Sequence, residues 1–185
     1  MARVPAATRE TIPQAHQAAF DAEVQSRGGI PRTGPGSIMI NSPEACRRAA
    51  HLSAYLRRES TLPPHVQELA MLVTARALDC QYIWNAHAAS GKRAGLSQDL
   101  VDALCERKPL PPLKHDEEAV IRYGREFFQT HRVSRGAFQA ALEQLGVQGL
   151  TELTMLMGYY GMLAFCVNAF DGDFPSERTE PLLPV

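Results

Sequence analysis

At 185 residues the chain is long enough to bury a hydrophobic core without disulfide or metal staples, as one unit or as two small repeats sharing a core. Hydrophobic residues make up 45% and charged residues 21%, a globular composition that rules out a disordered or fibrous chain. With 19 basic and 20 acidic residues the formal charge is −1, so no global field draws the protein to nucleic acid or to an anionic membrane.

Apolar positions recur with helical spacing throughout, and no alternating β-branched run bounded by tight-turn signals occurs, so the expected fold is all-α. A first helix is predicted over about 12–27, with Pro13 in its first turn and Gly28-Gly29 beyond its end, and residues 30–41 read as loop. Ser42-Pro43-Glu44 supplies an N-cap, a first-turn proline and a dipole-complementing carboxylate for a helix ending near Arg58. Pro63-Pro64 opens the next, predicted to about Asp79, and a fourth follows from about Gln81 to Arg93. Ser97 caps a short helix through Leu104, and Pro109, Pro111 and Pro112 forbid its continuation. Helices over 116–130 and from Ser134 to Gly146 come next, and a long apolar one from Leu150 closes the chain. Glu152, Asn168, Gly158 and Gly161 interrupt that last stretch, which reads as a buried helix rather than a membrane span. The whole is expected to form one domain, with an N-terminal helix and loop (1–41), a core over about 42–170 and a tail over 171–185.

One internal echo stands out: residues 66–72 against residues 150–156, at an offset of 84, with four of seven positions identical. If it records a duplication, two helical repeats share one core.

The reactive residue types concentrate between Glu68 and His87. Glu68 has mostly apolar neighbours, and burial of a carboxyl raises its pKa toward the range useful for proton transfer; the plainer reading is a solvated face that also carries Gln67, Arg76 and Asp79. If the chain turns back near Asp79, Glu68 stands about 17 Å along one arm of a helical hairpin and His87 about 10 Å along the other. An offset of about 7 Å is within reach of two side chains or one bridging water, which suits a carboxylate and an imidazole sharing a proton. Cys80 falls at the start of the fourth helix, where free backbone N–H groups and the dipole would stabilise a thiolate. The competing reading is a small buried hydrophobe, the commoner behaviour of free cysteine. His65 and Glu68 have the i, i+3 spacing of half a carboxylate-bridged metal site, but no second Glu-x-x-His completes it, so no metal is expected. Arg47-Arg48 and Arg57-Arg58 read as solvated or interface pairs, and no dinucleotide, P-loop or serine-hydrolase motif occurs. Cys46, Cys80, Cys105 and Cys166 include no Cys-x-x-Cys pair and no signal-peptide pattern opens the chain, so reduced thiols in a cytoplasmic protein are expected.

Glu68, Cys80 twelve residues on, His87 seven beyond that, and then Ala-Ala-Ser-Gly-Lys-Arg-Ala-Gly95-Leu-Ser together resemble the carboxymuconolactone decarboxylase and alkylhydroperoxidase D superfamily. The likeness is good from about residue 42 to 104 and continues in the Glu-Leu-x-Met-Leu helix and its Tyr159-Tyr160 to Asn168 extension. It implies an alkylhydroperoxidase D-like helical bundle, assembly into trimers or larger rings such as hexamers, and functional roles for Glu68 and His87. The peroxidase branch pairs two cysteines, one attacking peroxide and the other resolving the sulfenic acid. Here the second position is Ile83, which can form no disulfide, so only a one-cysteine peroxidase using Cys80 would remain; Tyr82, where that branch often has histidine, departs further. The decarboxylase branch needs neither a cysteine pair nor a cofactor. The resulting expectation is a cofactor-free acid–base enzyme acting on a small carboxylated or lactone metabolite, with Glu68, His87 and Cys80 as candidate catalytic residues. The alternatives are the one-cysteine peroxidase and a non-catalytic oligomeric binding protein.

Overall fold

The computed structural model describes residues 2–175, 178 and 180–185. Eight α-helices and no strand occur among them, with two short 3-10 turns at Arg9–Thr11 and Gln14–His16. The helices are α1 (Gln17–Arg27), α2 (Gly34–Met39), α3 (Pro43–Arg58), α4 (Pro64–Ala77), α5 (Gln81–Arg93), α6 (Gln98–Cys105), α7 (His115–Thr130) and α8 (Arg135–Phe170).

α4 is the centre of the molecule. Every residue from Leu69 to Arg76 is buried, and α5, α7 and α8 pack around it. Pro64 suits its first turn, where a missing N–H costs nothing. Its end is set by Asp79, whose left-handed φ of 48° lets the Cys80 N–H reach back to the Ala75 carbonyl at 2.8 Å. Cys80 then leads straight into α5, so α4 and α5 form a tight hairpin. Gly124 allows α7 to lie close on α4, since a Cβ there would stand 2.7 Å from Val73 Cγ1 and 2.9 Å from Met157 Cε. α8 breaks at Gly146, which takes φ 67° and ψ 177°, so the predicted pair of helices is present, joined at that residue. Beyond the break, Leu153, Leu156, Tyr160, Ala164 and Val167 face the core. Arg135–Phe170 is long and apolar enough to cross a membrane by length and composition, but this inner face is occupied by α4 and α7. Its outer face exposes Met155, Met162 and Phe165.

Two expectations in the N-terminal 41 residues need correction. The first α-helix begins only at Gln17, because residues 14–16 form a 3-10 turn and His16 serves as the helix N-cap, at φ −111° and ψ −1°. The segment 30–41, expected as loop, contains α2. Gly-Pro-Gly-Ser is a poor helix former, but the packing of α2 on α8 and the burial of Ile38 outweigh local propensity. Ala7, Ile12, Phe20 and Ile40 close a second, smaller apolar cluster there.

The last residues fold back over the hairpin. Leu183 is buried, its N–H donates to Gln81 Oε1 at 2.7 Å, and its carbonyl accepts from Gln81 Nε2 at 2.8 Å. Arg76 donates to the Pro184 carbonyl at 2.8 Å, and Lys92 pairs with Glu180 at 2.8 Å.

Candidate active site

The hairpin brings Glu68 and His87 together. Glu68 Oε2 lies 2.9 Å from His87 Nδ1, a direct hydrogen bond rather than a water-bridged approach. The arms are more nearly equal than predicted. α4 already ends at Ala77, which leaves Glu68 about 13 Å and His87 about 9 Å from the turn. Gly91, one turn beyond His87, lets the helices close. A Cβ at that position would sit 3.2 Å from Leu72 Cδ1 and 3.7 Å from Glu68 Cβ.

The pair is enclosed but reachable, with side-chain exposures of 14% for Glu68 and 10% for His87. The solvated-face reading of Glu68 therefore does not hold. With the carboxylate ionised, Nδ1 carries the hydrogen and donates to it, which fixes the ring and leaves Nε2 as the nitrogen free to exchange a proton. The ring packs edge-on to Tyr160, with centroids 5.1 Å apart and planes at 81°. Burial pushes the Tyr160 phenol well above its usual range, while the Arg57 guanidinium pulls the other way and Glu68 adds to the rise. Tyr160 is thus a neutral donor, and its hydroxyl makes no hydrogen bond to any described residue. Spacing gave no hint of Tyr160, an aromatic in an apolar stretch 73 residues beyond His87, or of Arg57, one of two adjacent arginines on α3.

Cys80 does not join them. It caps α5 with zero exposure inside the main core, about two turns from His87. Burial pushes its thiol up, and hydrogen bonds from the helix-terminal N–H groups of Ile83 and Tyr82 offset only part of that. The expected helix-end stabilisation of a thiolate is real in direction and loses to desolvation. The other aromatic and amide neighbours look elsewhere. Tyr82 packs on Gly34 and Phe174, Trp84 fills the core, and Asn85 accepts from the Glu180 N–H at 3.3 Å. His65, the other half of the i, i+3 spacing, faces away from Glu68 to bond Asp116 at 2.6 Å.

The fold has solved counterparts. It matches an alkylhydroperoxidase AhpD core, an uncharacterised peroxidase-related protein from Ralstonia eutropha, at 15% identity over 95% of this chain and 93% of that one, with a TM-score of 0.69. An uncharacterised peroxidase-related protein from a Silicibacter species matches at 15% identity over 95% and 92%, with a TM-score of 0.70. Residues 43–107, which hold α3, the whole hairpin and α6, match the model of the carboxymuconolactone decarboxylase family. Over that segment the chain is similar to the carboxymuconolactone decarboxylase family, and the solved counterparts share its fold. The same fold carries a further protein, the debrominase Bmp8, whose cysteine-to-alanine variant is in complex with 2,3,4-tribromopyrrole. It matches at 14% identity over 94% of this chain and 91% of that one, with a TM-score of 0.67. No curated protein matches the sequence significantly. The matched segment ends before α8, so Tyr160 lies outside it while Glu68, Cys80 and His87 lie within.

Proposed function

We propose that this protein is a cofactor-free acid–base enzyme that removes carbon dioxide from a small unsaturated or lactone carboxylate. The observation that carries this reading is the direct 2.9 Å bond between Glu68 and His87 in an enclosed site, with the Tyr160 ring packed edge-on to the imidazole and its hydroxyl without a partner among the described residues. The substrate's carbon–carboxylate bond breaks, its electron pair passes into a dienolate, and carbon dioxide leaves. His87 Nε2 delivers a proton to the distal carbon, Glu68 holds the imidazolium in place, and Tyr160 donates to the enolate oxygen. Arg57 lies close enough to act on Tyr160 electrostatically and supplies a positive charge for a carboxylated substrate. Thiol chemistry at Cys80 is the competing reading. The complete burial of Cys80 and the isoleucine at position 83 weigh against it.

Screening of γ-carboxylated lactones and related acids for carbon dioxide release tests the proposal, with His87→Ala as the control. Rapid consumption of an organic peroxide by stopped flow, lost in Cys80→Ser, would replace it by the one-cysteine mechanism.

The reading includes a cytoplasmic homo-oligomer, a trimer or hexamer. Thr151, Met155, Gly158, Met162 and Phe165 recur every three or four residues on the exposed side of α8. That spacing is the seam a second helix would cover. Light scattering is expected to give three or more subunits, and Phe165→Glu to lower that number; a wild-type monomer at micromolar concentration would remove this part of the reading.

A further inference from the structure

On the far side of α4 from the acid–base pair lies a cavity of about 420 Å³, a volume in the range of small-molecule sites. Four cations line it, and they come from separate parts of the fold. Arg76 is on α4, Arg107 and Lys108 follow α6, and Arg125 is on α7. Two carboxylates answer them. Asp79 is shared between Arg76 and Arg107, and Glu106 pairs with Lys108, which leaves an excess of two positive charges. Arg125 has no hydrogen-bond or ion-pair partner among the described residues, although it is half-buried. Desolvation holds its pKa below the usual arginine range. Arg76, whose side chain is only 8% exposed, keeps a buried Nε with no partner.

Buried or half-buried guanidinium groups are ordinarily paired, because an unanswered charge out of water is costly. The remaining wall is apolar, formed by Val73, Leu104 and Phe128. The close approach of α7 to α4 at Gly124 holds the neighbouring Arg125 beside that wall. Arg107 ends α6 in the left-handed cap conformation, with φ 55°, and pairs with Asp79 at 2.9 Å.

We infer that this cavity is a second ligand site, one that binds a small oxyanion attached to an apolar body, such as an aryl or short acyl carboxylate. The oxyanion pairs with Arg125 and the Arg107–Lys108 edge, and the body lies on Phe128 and Leu104. Arg76 stands about 12 Å along α4 from Glu68, so this site and the acid–base pair are separate, and the inference does not depend on the decarboxylase reading.

The test is a titration of the full chain with sodium benzoate, and in parallel with inorganic phosphate, at low ionic strength, followed by NMR of backbone amides and arginine side chains. Benzoate is expected to give saturable shifts confined to residues 73–77, 104–108 and 125–129, weakened about tenfold in Arg125→Gln and unchanged in Glu68→Gln. Arg107→Gln, at a more exposed position, should weaken binding too and serves if Arg125→Gln fails to fold. Phosphate should shift the same residues with lower affinity. Absence of saturable shifts, undiminished binding in both arginine variants, or shifts centred on residues 68 and 87 would overturn the site. Phosphate binding as tight as benzoate would overturn the apolar part of the assignment.

Discussion

Glu68 and Glu152 occupy the third position of the two seven-residue echoes, on helices that pack against each other. Glu152 is 2% exposed and fully engaged. Its Oε1 accepts from the Tyr55 hydroxyl at 2.7 Å and Gln148 at 3.0 Å, and its Oε2 accepts from the Thr61 N–H at 2.8 Å and hydroxyl at 2.6 Å. Burial alone would raise its pKa, but the donors of Thr61, Tyr55 and Gln148 more than offset that and hold it at about 2. Glu68 accepts one bond, from His87, and its other oxygen takes none from any described residue. What separates the two is the number of donors around them. A saturated carboxylate has nothing left to offer a substrate and acts as a tie between α8 and the α3–α4 connection. A singly bonded carboxylate beside an imidazole keeps capacity for chemistry.

The sharpest way to break that contrast is to remove each carboxylate's charge and read activity and stability together. Glu68→Gln and His87→Ala should each lower turnover by about 10²-fold or more, and the double variant should be little worse, because residues acting as one unit are not additive. Losses that multiply would show that the two act independently. Glu152→Gln should instead spare turnover per folded molecule and cost about 2–3 kcal/mol of stability. The cost comes from replacing four hydrogen bonds to a charged carboxylate by weaker ones to a neutral amide, whose NH2 is a donor facing groups that now donate to Glu152. A fall in melting temperature of about 4–10 °C is expected for a chain of this size, and a silent substitution would refute the structural role.

A pH series refines the same comparison. A carboxyl whose folded pKa lies near 2, below its ordinary value of 4.5, contributes stability that is complete above about pH 5 and lost as pH falls toward 2. The stability gap between wild type and Glu152→Gln should therefore shrink over that window, as followed by denaturant melts. A gap independent of pH would mean that Glu152 is not ionised when folded. The smallest expected effect is that of Tyr55→Phe, which removes one of the four donors and should cost about 1–2 kcal/mol without changing turnover. A loss as large as that of Glu152→Gln would assign the whole network to one bond.

The dyad was legible because two helices joined by a short turn leave little geometric freedom. Glu68 and His87 are fixed by the length of each arm and by the turn at Asp79. Gly146 likewise announced the break in α8. What escaped depends on distant packing. α2 forms from Gly34-Pro35-Gly36-Ser37 only because Ile38 has a place to go, and Tyr160 meets His87 through the way α8 crosses the hairpin, which no local spacing encodes. Cys80 shows the reverse case, of two local readings between which only packing decides. The local cue of a helix N-terminus was sound, and the tertiary environment overrode it.

The final turn of chain touches the hairpin in a way that has its own logic. Gln81 offers Leu183 one acceptor and one donor, the pair that an adjoining β-strand would present, so a side-chain amide stands in for a peptide group. Over residues 181–185 recognition of the tail thus runs through its main chain, with Leu183 buried and Leu182 and Val185 left 46% and 85% exposed. Sequence drift at the two exposed positions is expected to be tolerated, whereas a proline at position 183 would delete the N–H that Gln81 reads and lift the strap from the start of α5.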